Sequence, residues 1–188
     1  MGGILSMRRL SDTDYEVQAL TATTGVSIPA AAITSGLLAA ARVGFALTYV
    51  TTDVTSTSSS LANVAGLSFA VDANTTYGFQ FIIPFTTNSL QGIRLDITGP
   101  TDPTLIFWIR ETPIAQDASV SALQTKSLVE YLTDLVVTST DISNTLRVAR
   151  LSGVLVNGAN AGTLQVQVAS GLNGQAAVVK RGAWGVRF

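Results

Sequence analysis

The sequence predicts an all-β protein, in which a jelly-roll-like β-sandwich of residues 42–188 follows an extended N-terminal arm of residues 1–41. Two observations predict this class. After residue 42, apolar side chains recur at every second position in most segments, as in strands with one buried face. About eight such segments are separated by turns containing Gly, Pro or Asn at intervals of roughly 8–12 residues, which is typical of sandwiches and barrels.

The arm is predicted from a change in composition. It begins with a short apolar stretch and continues into a Thr- and Ala-rich segment that contains Pro29. One edge strand is predicted where apolar and polar residues alternate, with the apolar positions at Tyr15, Val17 and Ala19. A short helical turn is predicted between Thr34 and Ala41, because apolar residues there fall at helical spacing.

The strongest strand pattern runs from Tyr77 to Phe85. Large side chains alternate there with smaller or polar ones, so they share one face: Tyr77, Phe79, Phe81, Ile83 and Phe85. Full burial of each is worth roughly 1.5–3 kcal/mol, so the segment is predicted to be a core strand. Pro84 lacks a backbone donor, which predicts a sheet edge or bulge at that end.

Weaker patterns flank this strand. An earlier strand is predicted to carry three large side chains on one side: Phe45, Leu47 and Tyr49. Residues 51–60 are rich in Ser and Thr and are predicted to form a loop or a polar edge. A half-buried strand is predicted before the Gly99-Pro100 turn, from the alternating residues Ile93, Leu95 and Ile97.

The segment from Leu105 to Ile109 is apolar at every position. It is predicted to be a strand covered on both sides, either within the sandwich or by a neighbouring subunit. Because Phe107 and Trp108 are adjacent, they point to opposite faces, and one of the two rings is predicted to leave the core.

The C-terminal third also predicts strands, at residues 146–148, 154–156 and 164–168, after a less regular segment. In that segment, residues 117–135, the apolar spacing fits a helical turn only in part, so at most one short helix is predicted. Asn157-Gly158 is a favoured hairpin signal.

Composition argues against an enzyme. The chain contains neither Cys nor His, which removes disulfides, the commonest metal ligands and the usual general base near neutral pH. No phosphate-binding loop occurs, so no cofactor, catalytic residue or metal ligand is assigned. Two alternatives stay open at this point: a distant carboxylate pair such as Asp72 with Asp96, and a structural Ca²⁺ held by loop oxygens.

Charge and polarity point towards protein partners. Only 12% of the residues are charged, 47% are hydrophobic, and the net charge is −1, so neither nucleic acid nor a membrane is an expected partner. With this composition, exposed apolar surface is expected to be covered by partner proteins. The alternative is a monomer whose surface is formed by its many Ser, Thr, Asn and Gln residues. After Asp141 all charged residues are basic, and they are expected to pair either with acids of the same fold or with an acidic patch on a partner.

Two segments of the sandwich resemble a known module. Residues 61–69 read LANVAGLSF and residues 73–81 read ANTTYGFQF. They resemble a module of tailed-bacteriophage virion proteins, including tail, fibre and head-decoration components. Two later segments, ARLSGVL at 149–155 and AGTLQVQVAS at 161–170, are similar to its closing strands. The resemblance implies a jelly-roll-like domain that commonly trimerises, and it does not extend to residues 1–50.

The combined expectation is a non-enzymatic virion protein, made in the host cytoplasm and placed on the capsid surface. A homotrimer is expected to bridge major capsid subunits as a cement or decoration protein. The alternative is a tail or short-fibre module that binds a host-surface glycan; the chain shows no repeats or heptads that would build a long shaft. The expected partner-binding residues lie in the arm and near three aromatic side chains: Ile4, Leu5, Met7, Arg8, Arg9, Leu10, Trp108, Trp184 and Phe188.

Overall fold

The structure of the protein is a computed structural model, which describes residues 5–9, 15–19, 45–88, 92–114, 122–131 and 145–188. The regular secondary structure in these ranges consists of β-strands alone, and all the strand pairs are antiparallel. The chain divides into two compact units, residues 1–43 and 44–188. The prediction of an all-β sandwich is confirmed.

The described part of the first unit is a two-stranded sheet. Strand β1 (Leu5–Arg9) pairs with β2 (Tyr15–Ala19), and Met7 lies opposite Val17. The strand predicted at Tyr15–Ala19 is therefore present, with β1 as its partner. The helical turn predicted between Thr34 and Ala41 lies outside the described residues.

The second unit contains two sheets. The three-stranded sheet has the order β5-β11-β7, and its strands are β5 (Ala62–Val71), β7 (Ile93–Thr98) and β11 (Gly162–Ser170). The eight-stranded sheet has the order β3-β13-β6-β10-β8-β9, with β4 and β12 off this path. Its strands are β3 (Ala46–Tyr49), β4 (Val54–Ser56), β6 (Thr76–Thr87), β8 (Leu105–Ile114), β9 (Ala122–Leu128), β10 (Arg147–Val156), β12 (Ala177–Val179) and β13 (Trp184–Arg187).

The path of the chain between these sheets is that of a jelly roll. From β5 to β8 the chain alternates between the small and the large sheet, and it crosses again between β10 and β11. Strands that are neighbours in a sheet are therefore distant in sequence, as in the pairing of Gln165 with Ser68. This alternation of two antiparallel sheets distinguishes a jelly roll from a simple meander.

The core lies between the inner faces of the two sheets, and β6 contributes most to it. Its alternating side chains are buried as predicted: Tyr77, Phe79, Phe81, Ile83 and Phe85. Phe81 stacks on Phe69 of the small sheet at a centroid distance of 5.3 Å. Ile93, Leu95 and Ile97 of β7 are also buried, so the half-buried strand predicted there presents its apolar side to the core.

Pro84 does not mark a sheet edge, because β6 is a central strand. On one side Pro84 lies opposite Val148 of β10. On the other side β6 changes partner, since its pairing with β13 ends at Ile82 and its pairing with β12 begins at Phe85. The carbonyl of Pro84 faces this junction and accepts a hydrogen bond from the Lys180 amide at 2.9 Å. The missing donor of Pro84 thus falls where the sheet changes partner.

Among the described residues, strand β8 is covered on one side only. Ile106 and Trp108 are buried, whereas Leu105 and Phe107 are exposed. The Trp108 indole N–H donates to the carbonyl of Glu130 at 3.1 Å, which satisfies the one polar atom of this ring. The prediction that one of the two rings leaves the core is confirmed, and that ring is Phe107.

For residues 117–135 the sequence predicts at most one short helix, and the part that the structure describes contains a strand. Ala122–Leu128 is strand β9, which pairs with β8 from Ile114 opposite Ala122 to Trp108 opposite Leu128. Pairing with a neighbouring strand outweighs an irregular local pattern, because strand formation depends strongly on context.

Asn157-Gly158 is not a hairpin turn. It connects β10 of the large sheet to β11 of the small sheet, so the flanking strands do not pair with each other. Asn157 is buried, and its side-chain amide donates to the carbonyls of Asp72 at 2.8 Å and Asn160 at 2.9 Å. These hydrogen bonds tie the crossing to the neighbouring loops.

Candidate interaction surface

The large sheet has a second face that the small sheet does not cover, which we call the outer face. It is formed by the outward side chains of β3, β13, β6, β10 and β8, together with the adjoining residues Phe45 and Phe188. Most of these side chains are apolar although they are exposed: Phe45, Leu47, Tyr49, Leu105, Phe107, Val148, Val154, Trp184 and Phe188. Ile82, Ile109 and Val186 lie among them and are partly exposed.

Aromatic side chains are concentrated at the β3–β13 edge of the outer face. The strand register places Tyr49 opposite Trp184 and Leu47 opposite Val186. The next pair along these two strands is Phe45 and Phe188, whose ring centroids are 6.2 Å apart. Leu47 is 67% exposed and Trp184 36% exposed. Among the described residues, this edge of the outer face carries three neighbouring apolar pairs and no charged side chain, because Arg187 of β13 lies on the inner face opposite Phe79.

Phe188 lies against Gly78 of β6. The two residues exchange backbone hydrogen bonds, of 2.8 Å from the Gly78 amide and 3.0 Å from the Phe188 amide. A Cβ atom on Gly78 would collide with the Phe188 ring. The absence of a side chain at residue 78 therefore lets the Phe188 ring lie against the first residues of β6.

Charged groups on the outer face neutralise each other. Arg150 of β10 lies opposite Glu111 of β8, and its Nε is 2.6 Å from the carboxylate. The pair is partly exposed, so it contributes little to stability. Its effect on the charge of the surface is larger, because the two opposite charges leave this part of the outer face without net charge.

A second ion pair joins loops of the large sheet. Lys180 pairs with the Asp53 carboxylate, which also accepts a hydrogen bond from the Arg181 backbone amide at 2.8 Å. The hydrogen bond from Lys180, followed by that from Arg181, lowers the pKa of Asp53 below its ordinary value. These residues line a shallow open pocket together with Thr51 and Thr52.

Three basic residues near the C-terminus interact with side chains of the same fold. Besides Lys180 and Arg150, Arg187 places its guanidinium 4.8 Å from the centre of the Tyr77 ring. Such cation–π contacts are worth about 0.5–1 kcal/mol at exposed sites. Of the two expectations for this basic segment, pairing inside the same fold accounts for Arg150 and Lys180.

Comparisons with known proteins assign no family. No family model matches the chain, and no curated protein matches it in sequence. Among solved structures, the chain is similar to VP2 in the subviral particle of infectious bursal disease virus, with 16% identity and a TM-score of 0.22. The match covers 76% of this chain and 40% of the VP2 chain. A TM-score this low does not establish a shared fold, so the likeness assigns no function.

The predicted contact residues fall into three groups. Trp184 and Phe188 lie together on the outer face. Trp108 is fully buried in the core, so it is not a surface contact, and Phe107 takes the outward position instead. Among the arm candidates, Leu5, Met7, Arg8 and Arg9 lie on β1, whereas Ile4 and Leu10 are outside the described residues.

The sequence pattern predicts that Phe45, Leu47 and Tyr49 share one side of a strand, but it does not predict that this side is a contact surface. In the structure the inward side of β3 carries the smaller residues Ala46 and Thr48. Thr48 donates its hydroxyl to the carbonyl of Gly66 in β5, and the backbone of Gly66 lies close to that of Tyr49. Only small side chains fit between strands this close, which turns the large ones outward.

Among the described residues, no group of three or more acidic, Cys or His side chains gathers as a metal site. Asp72 accepts a hydrogen bond from the Tyr77 hydroxyl at 3.2 Å, and the buried Asp96 accepts one from the Ile97 amide at 2.7 Å. Within the described ranges, no helix is long and apolar enough to cross a membrane.

Proposed function

We propose that this chain is a structural protein of a bacteriophage virion, which acts as a trimeric cement or decoration protein on the capsid surface. The observation that carries the proposal is the outer face, where aromatic and aliphatic side chains lie exposed over several strands without net charge. Large exposed apolar patches on soluble proteins mark sites of protein association. A protein with such a face functions by contact with other subunits.

The virion is the proposed setting for two reasons. Jelly-roll sandwiches are a common building unit of viral capsids, although they also occur in lectins and cupins. The LANVAGLSF and ANTTYGFQF segments, which resemble the phage module, form most of β5, the following turn and the first half of β6. They lie on the two strands that begin the jelly roll.

In the proposed arrangement, the β-sandwich sits over a junction between major capsid subunits, and residues 1–41 reach across neighbouring surfaces. Three linked contacts of modest strength hold a trimer far more tightly than one contact does. No single residue then has to supply the attachment. Ile4, Leu5, Met7, Arg8, Arg9 and Leu10 are the proposed anchors of this arm.

The test uses phage particles that lack this protein. Heads that assemble normally but lose DNA on heating or osmotic shock, and regain resistance when purified protein is added back, would support the cement role. Robust heads that no longer adsorb to cells would contradict it. Cryo-electron microscopy of complete particles would then show whether density for this chain lies over capsid junctions.

A glycan-binding tail module remains the second candidate, because Tyr49 and Trp184 lie side by side and exposed on neighbouring strands. Aromatic faces of this kind stack on the apolar faces of sugar rings. Binding of purified protein to host-surface glycans on an array, abolished by Trp184→Ala, would favour this function. Binding to glycan-free capsids alone would reject it.

A further inference from the structure

We infer that the outer face packs against a second copy of this chain, and that the β3–β13 edge is the most apolar part of the contact. The inference rests on the proposed structural function and adds the surface through which the copies contact each other. The edge is the most apolar part of the face, since Tyr49, Leu47 and Phe45 lie beside Trp184, Val186 and Phe188.

The area of the face matches what a stable contact needs. From the exposed fractions of its large apolar side chains, the face exposes on the order of 800 Å² of apolar surface. A standard protein interface buries roughly 800 Å² on each partner. The largest apolar patch of an ordinary monomer is smaller, roughly 300–600 Å². Covering the whole outer face would therefore give an interface of standard size.

The charge pattern favours an identical partner. The charges of Arg150 and Glu111 already compensate each other within one chain, and only 12% of all residues are charged, so the surface of the next copy in a trimer brings few charges against the face. Interfaces between identical subunits are also more apolar than those of transient complexes. A strongly acidic or basic partner would find no complementary charge at the β3–β13 edge.

The shape of the face also suits close packing. The Phe188 ring lies against Gly78, and Leu47 is the most exposed of the large apolar side chains on the face. Aromatic residues that lie against a rigid strand lose little conformational freedom on binding. Binding through the β3–β13 edge therefore costs little side-chain conformational entropy.

Trp184 reports directly on coverage of the face, because the other tryptophan, Trp108, is fully buried. Quenching of Trp fluorescence by iodide is measured on the full chain from about 1 to about 100 µM at constant ionic strength, beside the mass from sedimentation. We expect quenching to fall as the mass rises. Quenching that is strong at every concentration, or weak even where the protein is a monomer, would overturn the inference. The latter result would assign the cover to a segment of the same chain.

A pair of charge variants locates the contact. Leu47→Asp places a carboxylate on the outer face, whereas Leu172→Asp makes the same change at a residue that is 46% exposed in the loop between β11 and β12. We expect Leu47→Asp to raise the dissociation constant of self-association by about tenfold or more, and Leu172→Asp to leave it unchanged. Both variants should keep the far-ultraviolet circular dichroism of the wild type. Equal effects of the two, or an effect of Leu172→Asp alone, would overturn the inference.

Failure here is distinguishable from failure of the proposed function. A chain that stays monomeric but still binds and stabilises phage heads would remove the self-contact alone. A chain that associates through Leu47 but binds no virion component would remove the virion role and leave the contact in place.

Discussion

Gly153 and Gly78 show how single residues shape the two faces of the large sheet. Gly153 lies opposite Trp108 on the inward side, and a Cβ there would approach Trp108 Cα and Cβ at 2.7 and 2.6 Å. Gly78 lies beneath the ring of Phe188, an exposed residue at the end of the chain. A methyl group added at residue 153 would thus collide with the backbone of β8, whereas one added at residue 78 would collide with a side-chain ring that can move.

The first prediction compares these two glycines. We expect Gly153→Ala to lower the free energy of unfolding by about 2–3 kcal/mol, because the strands must separate to admit the new methyl group. Gly78→Ala should change it by less than about 1 kcal/mol, since the Phe188 ring can swing away from the sheet. Urea unfolding of both variants measures the difference. Equal losses would show that neither contact is as the structure has it.

The second prediction concerns Asp53. Its pKa is lowered in the folded state, chiefly by the hydrogen bond from Lys180, so ionised Asp53 stabilises the fold above its unfolded pKa of about 3.8. This contribution is lost as the pH falls through the lower folded pKa. We expect Asp53→Asn to have a smaller drop in melting temperature than the wild type between pH 5 and pH 3. Parallel melting curves over this range would contradict the prediction.

At the scale of the element, β8 shows how one strand serves both the core and the outer face. Its inward side chains Ile106, Trp108 and Arg110 are buried, and its outward side chains Leu105 and Phe107 are exposed. Arg110 donates a hydrogen bond from its guanidinium to the carbonyl of Leu95 at 3.1 Å. The strand thus joins the two sheets on one side and contributes to the candidate contact on the other.

The third prediction separates these two functions of β8. Trp108→Ala is expected to cost about 3–5 kcal/mol of stability, because it leaves a large cavity in the core. Phe107→Ala is expected to cost no more than about 1 kcal/mol in the monomer, since that ring lies at the surface. Denaturant unfolding at concentrations where the protein is monomeric measures both. Similar costs would mean that the two rings are not on opposite faces.

The elements of this fold differ in how far the sequence predicts them. The alternation of β6 predicts both the strand and its buried face, because large residues occupy only one side. In β8 both sides are apolar, so the continuous apolar run predicts the strand but not whether Phe107 or Trp108 is buried. The small residues Ala46 and Thr48 are the one available sign that β3 turns its large side chains outward, and their meaning depends on the close approach of β5.

At the scale of the whole molecule, strand order is what the sequence does not supply. Strands β5 and β11 pair across roughly a hundred residues, with Gln165 opposite Ser68, and no local pattern encodes that choice. Such non-local pairing also delays folding, because long loops must close before contacts form. The outer face is a product of this topology, since it gathers residues from both ends of the second unit.

The last prediction follows from the low charge of the whole chain, in which 12% of the residues are ionic and the net charge is −1. If the outer face associates through apolar contacts, raising NaCl to about 1 M should leave the dissociation constant nearly unchanged, because screening acts only on charges. Sodium sulfate should strengthen association, since it favours burial of apolar surface. Association through the Arg residues of the C-terminal segment would instead weaken steeply with either salt. Sedimentation equilibrium in the two salts distinguishes these cases, and weakening in both would replace the apolar contact with an ionic one.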